Sequence, residues 1–463
     1  MAEGRFISHA IVAALLVLAA ATACSSSRPG PPPAAAEDGE TFATAIQPLI
    51  QEKCQTCHRE GGIAPFSLVT YEDVAAVGEI AKDKVARREM PPWGARDAPG
   101  CDVRHGFEGD LSLTDEQIER FVSWVDRGMP RGAPASHASA EASFGPAGLT
   151  EKTHALESAG SYVVEAGGED AIMCFPIDPG FEKDTWIGES IVVPADPRVV
   201  HHSLVYIDRS REGAEKAGSA GSYPCFGGSE LTNPTLLLAW SPGGTSTRYG
   251  ENAGLMVPQG AHLVVQVHYH PIATSATGRM SLELAALPEK PARAATFVLV
   301  GNAESASDPG IRLLPGPSDP PSGPAFLIPS DAKDHVEAME LVMPIRKTRL
   351  SAIGAHMHWA GVGMKVEVTR KAPEEGEAAK ECLLGTTYDF DWQRTYTYDA
   401  PIEQLPILRA GDKVRITCTY DNTMDNRHIA RETHALRMAR PPAIRLGGES
   451  RDEMCQAILV FVD

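Results

Sequence analysis

Beyond residue 160 the chain is cut into short apolar runs, among them Ser190 to Val193, Val199 to Ile207, Ala261 to Val267 and Lys365 to Val368, set between Pro- and Gly-bearing turns. Runs this short and rich in Val and Ile suit strands, and their spacing predicts antiparallel sheets packed as sandwiches. A Pro-rich passage from Asp308 to Pro329 bridges or decorates two such lobes. With 463 residues, 43% of them hydrophobic and 22% charged, the chain has apolar material for two or three globular domains. Its 42 basic and 61 acidic residues leave a net charge of -19. That field repels phosphate backbones, so nucleic acid is not an expected partner.

The N-terminus sets the compartment. Arg5 precedes an apolar run from Ala10 to Ala21, shorter than the roughly 20 residues that cross a bilayer, and it reads as an export signal. Ala21-Thr22-Ala23-Cys24 resembles a bacterial lipobox. The resemblance implies a signal peptide over residues 1–24, lipidation of Cys24 and, with Ser25 next, an exported lipoprotein of the outer membrane. Such a protein faces the periplasm or cell surface and is held to the membrane by its lipid anchor alone. Residues 25–39 are a Pro/Ala/Gly linker, and export makes disulfides permissible.

A first unit is expected over residues 40–132. Pro48 fits the first turn of a helix that ends at a cysteine motif, and Thr114 with Gln117 forms a capping box ahead of Ile118, Phe121, Val122 and Val125 at helical spacing. The motif is Cys54-Gln-Thr-Cys57-His58. Two thiols one helical turn apart can form thioethers to the vinyl groups of a haem, and the next imidazole reaches the iron. No second CxxC accompanies it to complete a zinc site. A covalent haem c is therefore expected on Cys54, Cys57 and His58. Met90, in Arg-Glu-Met90-Pro-Pro-Trp93, is the expected sixth ligand by resemblance to class I c-type cytochromes, with Met129 and His105 as rivals. Residues 133–159 turn to Ala, Ser, Gly and Glu without periodicity, which reads as a linker.

The histidines cluster beyond that linker. His356 and His358 flank Met357, an i, i+2 spacing that places two imidazoles on one face of a strand. His268 and His270 repeat the spacing. His201 and His202 are adjacent and would point oppositely on a regular strand, so a bulge or strand end is needed to bring both to one ion.

In their order and local strings, Val-Val-His201-His202-Ser, Val-Gln-Val-His268-Tyr, His356-Met-His358 and Asp-Glu-Met454-Cys455 resemble the copper type II, ascorbate-dependent monooxygenases, the family of peptidylglycine alpha-hydroxylating and dopamine beta-monooxygenases. The resemblance covers roughly Gly160 to Asp463. It implies two jelly-roll-like all-β copper domains, over residues 160–290 and 291–463, behind the small all-α cytochrome. It further implies an electron-transfer copper on His201, His202 and His268 and an oxygen-binding copper on the catalytic His356, His358 and Met454. His270 has no clear family role and is expected to support His268 or replace it. Dioxygen bound at the second copper would abstract hydrogen from a C–H bond of a small or apolar substrate. Two electrons per turnover would come from ascorbate, another periplasmic carrier or the fused haem. Imidazole and thioether donors suit copper better than structural zinc.

Setting aside Cys24, Cys54 and Cys57, six cysteines remain, which allow 15 pairings. The resemblance implies Cys174–Cys225 and Cys418–Cys455, leaving Cys101 and Cys382 free or too far apart to bridge. Three departures from the peptide-amidating pattern make a peptidylglycine substrate doubtful: Gly354 replaces a substrate-anchoring arginine, Ile458 a tyrosine and Gln456 an asparagine. Ile458 and Trp359 point to an apolar substrate or to ordinary packing. A haem and copper electron-transfer protein without oxygenase activity is the alternative, and a copper storage module the third reading.

Overall fold

Strands form where apolar residues alternate or run together, and they stop at turn-forming Gly, Pro, Asn and Asp. The computed structural model describes residues 40–463 except 61, 97–99, 134–147, 169, 226–227, 243, 245, 309 and 345–346. The signal segment 1–24 with Cys24, the linker 25–39 and most of the linker 133–159 lie outside the described residues.

In chain order the principal strands are β1 (His154–Glu157), β2 (Ala171–Ile177), β3 (Thr185–Pro194), β4 (Val200–Asp208), β5 (Thr235–Trp240), β6 (Ala253–Val257), β7 (His262–Tyr269), β8 (Met280–Ala286), β9 (Arg293–Gly301), β10 (His335–Val342), β11 (Lys347–His356), β12 (Gly361–Thr369), β13 (Lys380–Thr387), β14 (Thr395–Thr397), β15 (Lys413–Tyr420) and β16 (Gln456–Val462). The chain is mostly β and builds several sheets, as the short apolar runs predict. Among the described residues, one ten-stranded sheet has the main order β1-β8-β3-β6-β9-β16-β11-β14. A five-stranded sheet contains β2-β7-β4-β5, and another contains β10-β15-β12-β13. The long sheet thus crosses both expected copper regions. A short parallel pairing joins them, Arg293 and Ala294 of β9 against Ala253 and Gly254 of β6. The apolar faces of all three sheets meet in one continuous core that runs from Val164 and Phe175 to Val460 and Val462.

Residues 40–132 carry three helices, α1 (Gln47–Lys53), α2 (Tyr71–Ala86) and α3 (Asp115–Asp126). They bury a separate core around Phe42, Ile46, Ile50, Val74, Phe121 and Trp124. Pro48 lies in the first turn of α1, which ends at Cys54. The capping box at α3 is formed: Thr114 Oγ1 accepts from the Gln117 N–H at 3.2 Å, and Gln117 Oε1 accepts from the Thr114 N–H at 2.9 Å. No helix among the described residues is long and apolar enough to cross a membrane.

The described residues 93–96 and 100–108 return to the sheets. Trp93 meets Tyr396 edge-on with ring centroids 5.1 Å apart. Single bridges join Ala95 to Thr386, Val103 to Cys382 and Phe107 to Tyr398. This return corrects one expectation: Cys101 and Cys382 are neither free nor too distant but form a disulfide, with Cα atoms 5.2 Å apart across 281 residues of sequence. Distance along the chain says nothing about a contact made by a segment that doubles back. Cys174–Cys225 and Cys418–Cys455 are also bridged. Three disulfides are at home in an oxidising, extracytoplasmic compartment.

Candidate metal centres

The first histidine group forms where β4 and β7 pair. His202 lies opposite His268, but the next partners are Val200 and Tyr269, so His201 is the extra residue of a bulge. That bulge turns two adjacent imidazoles the same way. The three rings lie 4.7 to 5.1 Å apart by centroid, and their ligating atoms fall within 4.8 Å of one another. His201 Nδ1 and His202 Nδ1 are 3.0 Å apart. His268 Nδ1 is buried without a hydrogen-bond partner, while its Nε2 meets Asp170 Oδ2 at 3.0 Å. His201 Nε2 lies 3.3 Å from Asp391 Oδ1. The His201 and His202 Nδ1 atoms face each other, the His268 Nδ1 is unpartnered, and carboxylates stand near the outer nitrogens of His201 and His268, an arrangement that fits a bound metal ion.

Asp170 also meets His270 Nδ1 at 2.9 Å. His270 is half exposed and stands outside the cluster, which makes it a support shared through one carboxylate and not a substitute for His268. Although burial works to raise the pKa of Asp170, its hydrogen bonds with His268 and His270 hold it well below the usual carboxylate range.

The second group hangs from one end of the long sheet. β11 ends at His356, which lies opposite Gln456 of β16, so His358 and Met454 both extend just past the paired residues. His358 is therefore beyond the strand and not on it, yet Met357 still turns into the core and the two rings stay 5.6 Å apart. His356 Nδ1–H donates to Gln393 Oε1 at 2.8 Å, and His358 Nδ1–H donates to the Asp452 carbonyl at 3.2 Å. The His356 Nε2 is left to bind, and the Glu449 backbone also acts on the His358 ring. Burial lowers the pKa of His201, His202 and His356 and takes His358 down to about 3, so all four are neutral imidazoles ready to ligate.

Glu453 joins the pieces of this second group. Fully buried, it accepts from the backbone N–H groups of His358, Ala360, Gly361 and Met454 at 2.7 to 3.2 Å. Burial pushes its carboxyl up to about 8, and the four donors work the other way. The Cys418–Cys455 disulfide and a 2.7 Å bond from the Tyr420 hydroxyl to the Met454 carbonyl fix the same segment.

His202 and His268 line one side of a 350 Å³ cavity, and His356, His358 and Met454 line the other. Sequence reasoning missed Gln393, Asp170, Asp391 and Glu453, none of which stands in a recognisable string apart from Glu453 beside Met454. A second candidate cluster, Asp389, Asp391 and His428, adjoins the first. Arg427 already spans its two carboxylates at 2.6 to 2.9 Å, so it is an ion-pair network. A larger cleft of 770 Å³, between Glu108, Arg248 and Glu403, has neither histidine nor thiol among its described lining residues.

In the helical segment, Cys54 and Cys57 are unbridged, although the other six cysteines among the described residues are paired. Burial pushes Cys54 up to about 12 and raises Cys57, against which Arg394 pulls down. His58 Nδ1–H donates to the Phe66 carbonyl at 3.1 Å, which leaves Nε2 available, and Phe66 is exposed beside its ring. Two spare thiols, a neutral imidazole and an uncovered aromatic fit an attached haem. The sixth-ligand candidates are scattered. Met90 lines a small cavity with Val85 and Ile118, Met129 packs on Gly78, and His105 meets the Gln404 carbonyl at 2.9 Å. Arg394, which acts on Cys57, lies over the Trp93 ring at 5.8 Å and is the next residue after Gln393, the partner of His356.

No family model matches this chain, and no curated protein does. Among solved structures it is similar to the major capsid protein P2 of bacteriophage PM2, at 9% identity and a TM-score of 0.24 over 67% of this chain and 96% of that one. It is also similar to PNGase F, a glycosylasparaginase from Flavobacterium meningosepticum, at 8% identity and a TM-score of 0.25 over 67% of this chain and 94% of that one. Overlap this low bears on neither fold nor activity.

Proposed function

We propose that the chain is an exported copper-dependent monooxygenase of the type II, ascorbate-dependent class, with a covalent haem on its helical segment. The carrying observation is that His202 and His268, from a cluster of three histidines, and the His356, His358 and Met454 set line one cavity. Two jelly-roll-like copper lobes and a cytochrome c unit are the finer fold assignment that goes with it. His356, His358 and Met454 would hold a copper ion that would supply one-electron redox chemistry toward dioxygen, His201, His202 and His268 a second copper, and Cys54, Cys57 and His58 a haem, as sources of electrons.

The chain's own residues do the positioning. Gln393 and the Asp452 carbonyl fix the tautomers of His356 and His358. Glu453 holds Met454 to the turn that carries His358, and Asp170 holds His268. The closeness of Gln393 and Arg394 supports a donor role for the helical segment, in addition to ascorbate or a periplasmic carrier. Lipidation at Cys24 and an outer-membrane location complete the proposal.

Met454→Ala tests it. The variant is expected to lose dioxygen uptake and one of two coppers per chain while the haem spectrum stays unchanged. Full uptake in the variant removes Met454 from the oxygen site, and a wild-type chain without copper removes the reading altogether.

A further inference from the structure

The cavity between the two histidine groups reads as a substrate site in its own right, on the footing that the proposed function is correct. Its walls are the inward faces of β4, β5 and β7 on one side and of β9 and β16 on the other, since His202, Leu204 and Tyr206 alternate along β4 and Gln456 and Ile458 along β16. Leu204, Leu231, Trp240, Leu299 and Ile458 give it an apolar lining. Leu299 is 39% exposed, which is unusual for a leucine on a central strand and leaves apolar surface open to the cavity.

The charge inventory is equally telling. No Lys or Arg lines the cavity among the described residues, and its one carboxylate, Glu230, is exposed and pairs with Lys216 at 3.6 Å. Among the described lining side chains a carboxylate moved from water finds no cation, so in the copper-free site it loses several kcal/mol of hydration. The net charge of -19 also disfavours the approach of anions. A cation finds only a carboxylate already engaged.

One buried polar group does face the cavity. Gln266 is 6% exposed, its Oε1 lies 3.4 Å from the Tyr206 hydroxyl, and among the described residues its Nε2 meets only the weak acceptor Cys225 Sγ at 3.9 Å. That amide is placed to donate to a ligand oxygen. We propose that the substrate is an uncharged, predominantly apolar small molecule with one hydrogen-bond acceptor, seated between Trp240 and Ile458 and anchored by Gln266. The volume of 350 Å³ is at the small end of ligand sites, which suits a single ring or short chain.

Calorimetric binding of benzyl alcohol, benzoate and benzylamine to the full chain, stripped of copper by a chelator, tests this, with metal content measured separately. Benzyl alcohol is expected to bind at least about tenfold more tightly than either charged probe, a gap of about 1.4 kcal/mol. Leu299→Lys, at a partly exposed position that tolerates the change, is expected to narrow or reverse the gap toward benzoate, and Gln266→Leu to weaken benzyl alcohol. Equal or tighter binding of benzoate or benzylamine to the unmodified chain overturns the inference, as does no binding of any probe. Absence of copper in the protein as purified fails the monooxygenase reading but leaves this one to be decided, because the probes are ranked on the copper-stripped chain.

Discussion

Gln393 and Asp170 each engage the ring nitrogen that a metal at the neighbouring centre would leave unused. Removing such a partner frees the ring to rotate or change tautomer, which typically costs ~10–100-fold in metal affinity. Gln393→Leu is therefore expected to weaken copper at the His356/His358/Met454 centre by about that factor and to leave the other centre intact. Asp170→Asn should show the converse. Copper titration followed by X-ray absorption separates the two centres, and loss at both in either variant would mean a collapsed site. At this scale the ligands were legible as strings of His and Met, because side-chain type alone declares a donor. Gln393 and Asp391 were not, since a lone Gln or Asp in a loop carries no signal until the fold brings it to a ring.

At the scale of elements, the bulge in β4 and the shared end of β11 and β16 do what no single residue can. Adjacent His201 and His202 required a bulge, and the structure supplies it at His201. The return segment from Trp93 to Glu108 is the element that sequence periodicity did not reveal, because it forms isolated bridges and no regular strand. Its one covalent attachment is Cys101–Cys382. Cys101→Ser is expected to lower stability by about 2–4 kcal/mol and to expose the segment to protease ahead of the sheets. Thermal unfolding and limited proteolysis read this, and cleavage that begins elsewhere would show that Trp93 and Phe107 hold the segment unaided. In α3, Trp124→Ala removes a fully buried ring, with an expected loss of about 3–5 kcal/mol from the helical segment, measurable as an earlier melt of its helical signal.

For the whole molecule, the consequence of a sheet that crosses both proposed copper regions is coupling. A ligand that binds only the folded state stabilises it by mass action. Copper added at a hundredfold excess over its Kd is expected to raise stability by about 2.7 kcal/mol per site, and a strong chelator to remove that gain while the haem absorbance persists. Calorimetry of the loaded and stripped forms checks it, and identical melting temperatures would argue that neither centre holds copper.

By itself the sequence determined that the chain is mostly β, that it carries a CxxCH string and two histidine sets, and where α3 is capped. Those features depend on local propensity, spacing and donor type, which are written residue by residue. Only the tertiary structure decided that Cys101 bridges Cys382, that Arg394 lies over Trp93, and that the two histidine groups share one largely apolar cavity. Each of these depends on burial and on segments hundreds of residues apart meeting in space. Such meetings follow from how three sheets pack into one core, which no local pattern encodes.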